Sequence, residues 1–153
     1  MTADSFYGIR PDHLPDFMKD PDSDDGRDVV KLRLAESRKL EAVSLHRFPP
    51  TFSAALDWES APYEDRRWWD DEDDWARMAA ELLSRYAGEG SRVAIFWGDL
   101  ELPTVTLSVD AVVRHAREFL EVGPHFWIYP LDGSVLIECL MDGQVTVAAI
   151  PPT

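Results

Sequence analysis

Hydrophobic and polar positions along this chain repeat with two different periods, and the stronger is helical. Trp75, Met78, Ala79, Leu82 and Tyr86 recur at the three- and four-residue spacing of one helix face. Asp73 or Asp74 can cap this helix, and Gly88 and Gly90 close it. Val109, Val112, Val113, Ala116, Phe119 and Leu120 predict a second helix that starts near Ser108 and stops before Gly123-Pro124. Between the two, Val93-Ala-Ile-Phe-Trp97 is a short apolar run ending at Gly98-Asp99, the pattern of a buried central strand. Residues 125–129, 134–140 and 144–149 then read as a meander, with Asp132-Gly133 and Asp142-Gly143 as its turns.

Residues 29–48 carry both periods. Val30, Leu32 and Leu34 alternate, as do Val43 and Leu45, which favours two strands around a turn at 36–39. Ala35, Glu36, Arg38, Lys39, Leu40 and Glu41 are good helix formers, so a single helix is the alternative. The alternation tips the reading toward strands, and Pro49-Pro50 ends either element. The predicted architecture is α+β. Two helices pack on a mainly antiparallel sheet that ends in a C-terminal three-stranded meander, and residues 29–153 form a single domain. Residues 1–28, with eight acids, three bases and three prolines, read as an acidic, poorly ordered arm on which Phe6, Tyr7, Leu14 and Phe17 dock locally.

Charge changes the picture most. The formal net charge is −14 over 153 residues. Phosphate binding and attraction to anionic lipid both depend on Lys and Arg, so nucleic acid and membrane surfaces are disfavoured as partners. Basic proteins are favoured. A single cysteine, Cys139, excludes an internal disulfide and suits a reducing compartment. The first residues lack the basic region and apolar run of a signal peptide, and no apolar stretch approaches the ~18 residues of a membrane span. A cytoplasmic protein is the expectation.

Candidate chemistry is sparse. His13, His46, His115 and His125 share no metal-ligand spacing with one another or with Cys139, so no metal or other cofactor is expected. A calcium loop starting at Asp20 fails, since Asp25 stands where glycine is needed and Lys31 where a bidentate Glu belongs. Cys139 alternates with Val135 and Ile137 and reads as an inert core thiol, with Glu138 turned to the exposed face. No serine nucleophile elbow or phosphate-binding glycine loop is present. The chain reads as a binding protein rather than an enzyme.

The segment 57–75 stands out. It holds four of the six tryptophans (Trp58, Trp68, Trp69, Trp75) and nine of the twenty-nine acids, against Arg66 and Arg67 alone. Acids before Trp75 favour the N-terminus of the predicted helix through its macrodipole. Asp57, Glu59, Glu64 and Asp65 lie too far upstream for that explanation. Rigid aromatic anchors inside a charged rim are what a protein–protein contact uses for affinity and partner choice. The adjacent Trp68 and Trp69 cannot both face one core. The expected partner-binding residues are therefore Trp68, Trp69, Asp70, Asp71, Glu72 and Asp73, with Glu64 and Asp65 on the rim. Trp127 and Tyr129 share a strand face opposite Phe126 and Ile128; if one face carries the core the other presents aromatics, and a helix is expected to cover that second face.

Arg92-Val-Ala-Ile-Phe-Trp-Gly-Asp99, followed by a helix and then by His125-Phe-Trp-Ile-Tyr-Pro-Leu-Asp-Gly-Ser-Val-Leu-Ile-Glu-Cys-Leu-Met-Asp-Gly-Gln-Val-Thr-Val147, resembles small immunity proteins of bacterial polymorphic-toxin and contact-dependent inhibition systems. The resemblance spans about residues 92–149. It implies a cytoplasmic protein that binds one cognate toxin domain, often a basic nuclease, and blocks its active site. Binding residues do not transfer by position, because such proteins differ most in their binding surfaces. Two alternatives compete with this reading. One is a small ligand-binding domain or enzyme with a pocket lined by Trp97, Trp127 and Tyr129, using His125 with Glu138. The other is an acidic adaptor or DNA mimic.

Overall fold

A computed structural model describes residues 13–48, 63–87, 90–97, 102–122, 125–131, 135–140 and 142–150. The chain is α+β, as its periodicities predict. Its centre is a seven-stranded sheet with the order β1-β4-β3-β5-β6-β7-β2. In sequence the strands are β1 (Val30–Lys31), β2 (Asp65–Trp68), β3 (Arg92–Trp97), β4 (Val105–Ser108), β5 (His125–Pro130), β6 (Val135–Leu140) and β7 (Gln144–Ala149). Every neighbouring pair is antiparallel. β3 sits inside the sheet between β4 and β5, and β5 to β7 form the expected meander. Of its two turns, Asp142-Gly143 is described and Asp132-Gly133 lies outside the described residues. Gly143 takes φ +100°, a backbone region that glycine enters without steric cost.

Among the described residues there are five α-helices instead of two: α1 (Asp24–Asp28), α2 (Leu34–Ala42), α3 (Glu72–Tyr86), α4 (Val109–Arg114) and α5 (Ala116–Phe119). Three corrections account for the difference. Residues 34–42 form α2 where two strands were expected, because local helix propensity outweighs the short alternation. The Glu36 carboxylate reaches back to the Arg33 N–H at 3.0 Å and satisfies a donor at the helix start. Only Val30 and Lys31 of that region pair as a strand. The predicted second helix is interrupted at His115 (φ −114°, ψ 22°), which separates α4 from α5. Its expected start at Ser108 is correct, since Ser108 Oγ accepts from the Ala111 N–H at 3.1 Å. The third is α1, five residues whose start is capped by Ser23, in a stretch where no helix was expected.

α3 follows its apolar stripe closely, with Trp75, Met78, Ala79, Leu82 and Leu83 buried. Its cap is Asp71 instead of the expected Asp73 or Asp74, and Asp71 Oδ1 accepts from the Asp74 N–H at 2.8 Å. The Trp75 indole N–H donates to the Ala116 carbonyl at 2.7 Å and ties α3 to α5. Both faces of the sheet are covered. On the first face, Ile95, Phe126, Ile128, Ile137 and Val147 pack with α3, Val112 and Phe119. On the second, Ala94, Phe96, Trp127, Tyr129, Leu136 and Ala148 pack with Phe48 and with Leu40 of α2.

Burial on both faces corrects two further expectations. Glu138 is fully buried instead of exposed, and its Oε2 accepts from the Trp127 indole N–H at 3.0 Å. Trp97 packs on the first face while Trp127 and Tyr129 pack on the second, so the three do not line one pocket. From His13 onward the acidic N-terminal stretch is described. There Leu14, Phe17 and Met18 belong to the first-face core. Phe6 and Tyr7 lie outside the described residues.

Candidate partner-binding surface

The acidic aromatic segment folds into an edge strand followed by a helix start. β2 lies last in the sheet, with Asp65 opposite Val147 and Trp68 opposite Gln144. Its pattern Asp-Arg-Arg-Trp has no apolar alternation, so no strand is legible there. Bonds across to β7 hold it in place. The Glu64 N–H donates to the Val147 carbonyl at 2.7 Å, and the Trp69 N–H to the Gly143 carbonyl at 3.0 Å. Arg66 Nε donates to Thr146 Oγ1 at 3.1 Å.

The period of two sends alternate side chains to opposite faces. Arg67 turns toward α3, where it meets Asp65 at 3.1 Å and Glu81 at 2.7 Å. Hydrogen bonds that the guanidinium donates to those two carboxylates, Asp65 first, hold it above its ordinary pKa. Arg66 and Trp68 face the other way. Trp68 is 61% exposed, the most exposed large hydrophobic side chain among the described residues. Trp69 is partly buried against the first-face core. The two adjacent tryptophans therefore divide as their spacing requires, one outward and one inward.

The acids also divide. Asp71 is occupied as the cap of α3, and Asp73 pairs with Arg117 at 2.6 Å. Glu64, Asp70 and Glu72 are exposed and make no ion pair among the described residues. The free charge of the surface therefore sits at both ends of β2, with Trp68 between. Trp58, Asp57 and Glu59 lie outside the described residues.

A second polar cluster went unread in the sequence. His115, at the break between α4 and α5, stacks on Phe17 with ring centroids 4.0 Å apart. Its Nε2 lies 2.8 Å from Asp25 and its Nδ1 2.7 Å from Glu118. Carboxylates only accept, so both bonds are satisfied when both ring nitrogens carry hydrogen. With both nitrogens engaged, the ring has none left for a substrate. Arg114 adds bonds to Asp25 at 2.9 Å and 2.5 Å. The Arg114 bond is the main cause that lowers the Asp25 pKa from 3.8 to about 2, against burial and with help from His115. Partners of this cluster are ninety residues apart in sequence, as with Asp25 and His115, so no local spacing announces it.

Among the described residues no group of three or more His, Cys, Asp or Glu side chains is placed to hold a metal ion. Cys139 is buried, and burial pushes its thiol well above the ordinary pKa, the reverse of what a nucleophile needs. No helix among the described residues is long and apolar enough to cross a membrane. Neither the family models nor the curated proteins contain a match to this chain.

Proposed function

We propose that this chain is a non-catalytic acidic binding protein that neutralises a basic protein partner, in the manner of an immunity protein blocking its cognate toxin domain. The observation that carries the reading is Trp68, 61% exposed on an edge strand whose ends are flanked by the exposed Glu64, Asp70 and Glu72. An exposed indole supplies a rigid apolar anchor, and loss of such anchors dominates interface energetics. Uncompensated carboxylates around it steer a cationic surface into place and disfavour wrong partners. Where the partner is a nuclease, the same carboxylates would occupy positions its basic site keeps for phosphates. The sequence resemblance over about residues 92–149 points to the same class.

Affinity capture from cells that make the protein tests this, with the wild type and a W68A/D70K/E72K variant as parallel baits. The wild type is expected to retain one basic protein in low salt and to lose much of it in high salt, since exposed charges are screened beyond about 8–10 Å. The variant is expected to retain none, and the captured protein's toxicity should be suppressed by co-expressed wild type. Equal retention by the two baits, or capture of nothing, would overturn the reading.

A further inference from the structure

We propose that the open edge of β2 receives an extended segment of the basic partner as an additional strand of the sheet, with Trp68 packed across it. This rests on the binding function proposed above and specifies how the partner is held. The register decides which backbone groups are available. The Trp69 N–H bonds the carbonyl of Gly143 at 3.0 Å, which continues the register one step past the Trp68–Gln144 pair. Hydrogen-bonding direction alternates along an antiparallel strand, so Asp65, Arg67 and Trp69 turn their backbone groups toward β7. The N–H and C=O groups of Arg66 and Trp68 point away from it. No strand among the described residues pairs with that side.

The two edges of the sheet differ. β1, at the far edge, is two residues long and so offers little to pair with. β2 is four residues long, contains no proline, and ends on its exposed indole. Its two arginines are occupied within the protein, Arg67 by Asp65 and Glu81, and Arg66 by Thr146 and by the Tyr63 ring 4.1 Å away.

The occupant follows from what a strand laid along this edge would meet. Trp68 favours a β-branched or aromatic side chain directly across from it. Glu64 at one end, and Asp70 and Glu72 at the other, favour Lys or Arg in the flanking positions. A second copy of this chain fits poorly. Each copy carries −14, and antiparallel pairing of two β2 strands that matches their outward groups, Arg66 opposite Trp68, sets Arg67 opposite Arg67. The edge therefore selects a basic, extended segment of another protein, held by main-chain bonds and sorted by side chains.

The test uses a displayed library of random peptides about twelve residues long, ample for a strand of this length. Sequences alternating Lys or Arg with β-branched or aromatic residues are expected to enrich on the wild type. They should lose about tenfold or more in affinity on R66P, which removes an outward N–H and leaves the β7 ladder its bonds. Loss of the Arg66 charge would by itself favour a basic peptide, so weaker binding reports the missing N–H. Hydrogen exchange on the unsubstituted protein supplies a second readout, in which bound peptide should slow the Arg66 and Trp68 amides. Unchanged affinity on R66P together with unprotected amides would overturn strand addition. If D70K/E72K and W68A still abolish binding in that case, the proposed surface survives and only the mode of capture fails. If those variants bind as the wild type does, the surface itself is wrong.

Discussion

Glu138 sits in an environment that constrains its replacement. It is fully buried in β6, and its carboxylate accepts the Trp127 indole N–H at 3.0 Å. A buried donor left without an acceptor costs about 1–3 kcal/mol, and the space vacated by a shortened side chain adds to that. Glu138→Gln keeps an acceptor oxygen and the side-chain volume, so its urea midpoint should stay near that of the wild type. Glu138→Ala should lose about 2–5 kcal/mol. Equal stability of the two variants would show that the Trp127 bond is unimportant. Residue chemistry was legible here only in part. Cys139 was readable as an inert thiol from its alternation with Val135 and Ile137. Alternation places Glu138 on a wet face only where one side of the sheet is open, and here both sides are covered. The run Val135–Leu140 is apolar at every position but one, the mark of a strand covered on both sides.

At the scale of elements, long-range pairing decides what local pattern leaves open. α3 was legible because five of its side chains form one apolar stripe and its acids suit a helix start. β2 was illegible, since Asp-Arg-Arg-Trp becomes a strand only through a ladder to residues about eighty positions later. β4 was missed for a related reason, its four residues running directly into the Ser108 cap of α4. The candidate site was therefore found by composition, while its geometry was not. The split between Trp68 and Trp69 followed from their adjacency. Which of them faces outward depended on the register of β2. Gly143 holds that register. Its φ is +100°, and an added Cβ would stand 2.7 Å from the Trp69 carbonyl oxygen. Gly143→Ala should therefore destabilise the protein by about 1–3 kcal/mol and speed exchange at the Asp65 and Arg67 amides. Wild-type exchange at those two amides would show that the turn does not support the edge.

For the whole molecule, acids play two opposed roles. A net charge of −14 makes the surface repel itself, yet some carboxylates tie distant segments together. Asp28 meets Arg92 at 2.6 Å and the Ser108 N–H at 2.8 Å. Burial raises its pKa, but these bonds outweigh that and hold the carboxyl below its ordinary range. Asp25 joins Arg114 and His115 and sits at about 2, against an ordinary 3.8. A carboxyl depressed by folding contributes stability above its unfolded pKa and loses it as pH falls through the folded one. The Asp25 contribution should thus be complete above about pH 4 and fade down to about pH 2. Asp25→Asn should be less stable at neutral pH, with a flatter stability curve inside that window. Urea midpoints across it provide the check, and parallel curves for the two proteins would refute the assignment.

The ladder between β2 and β7 also has a consequence for how the protein is made. β2 leaves the ribosome with residue 68, but its only strand neighbour among the described residues spans Gln144–Ala149. A growing chain can assemble α3 on β3 and β4 well before then, because those contacts are shorter in sequence. Among the described residues, β2 has no strand to pair with until β7 emerges. The proposed recognition surface is therefore a property of the completed sheet, and a nascent chain halted before residue 144 would carry Trp68 and its acids without the strand that presents them.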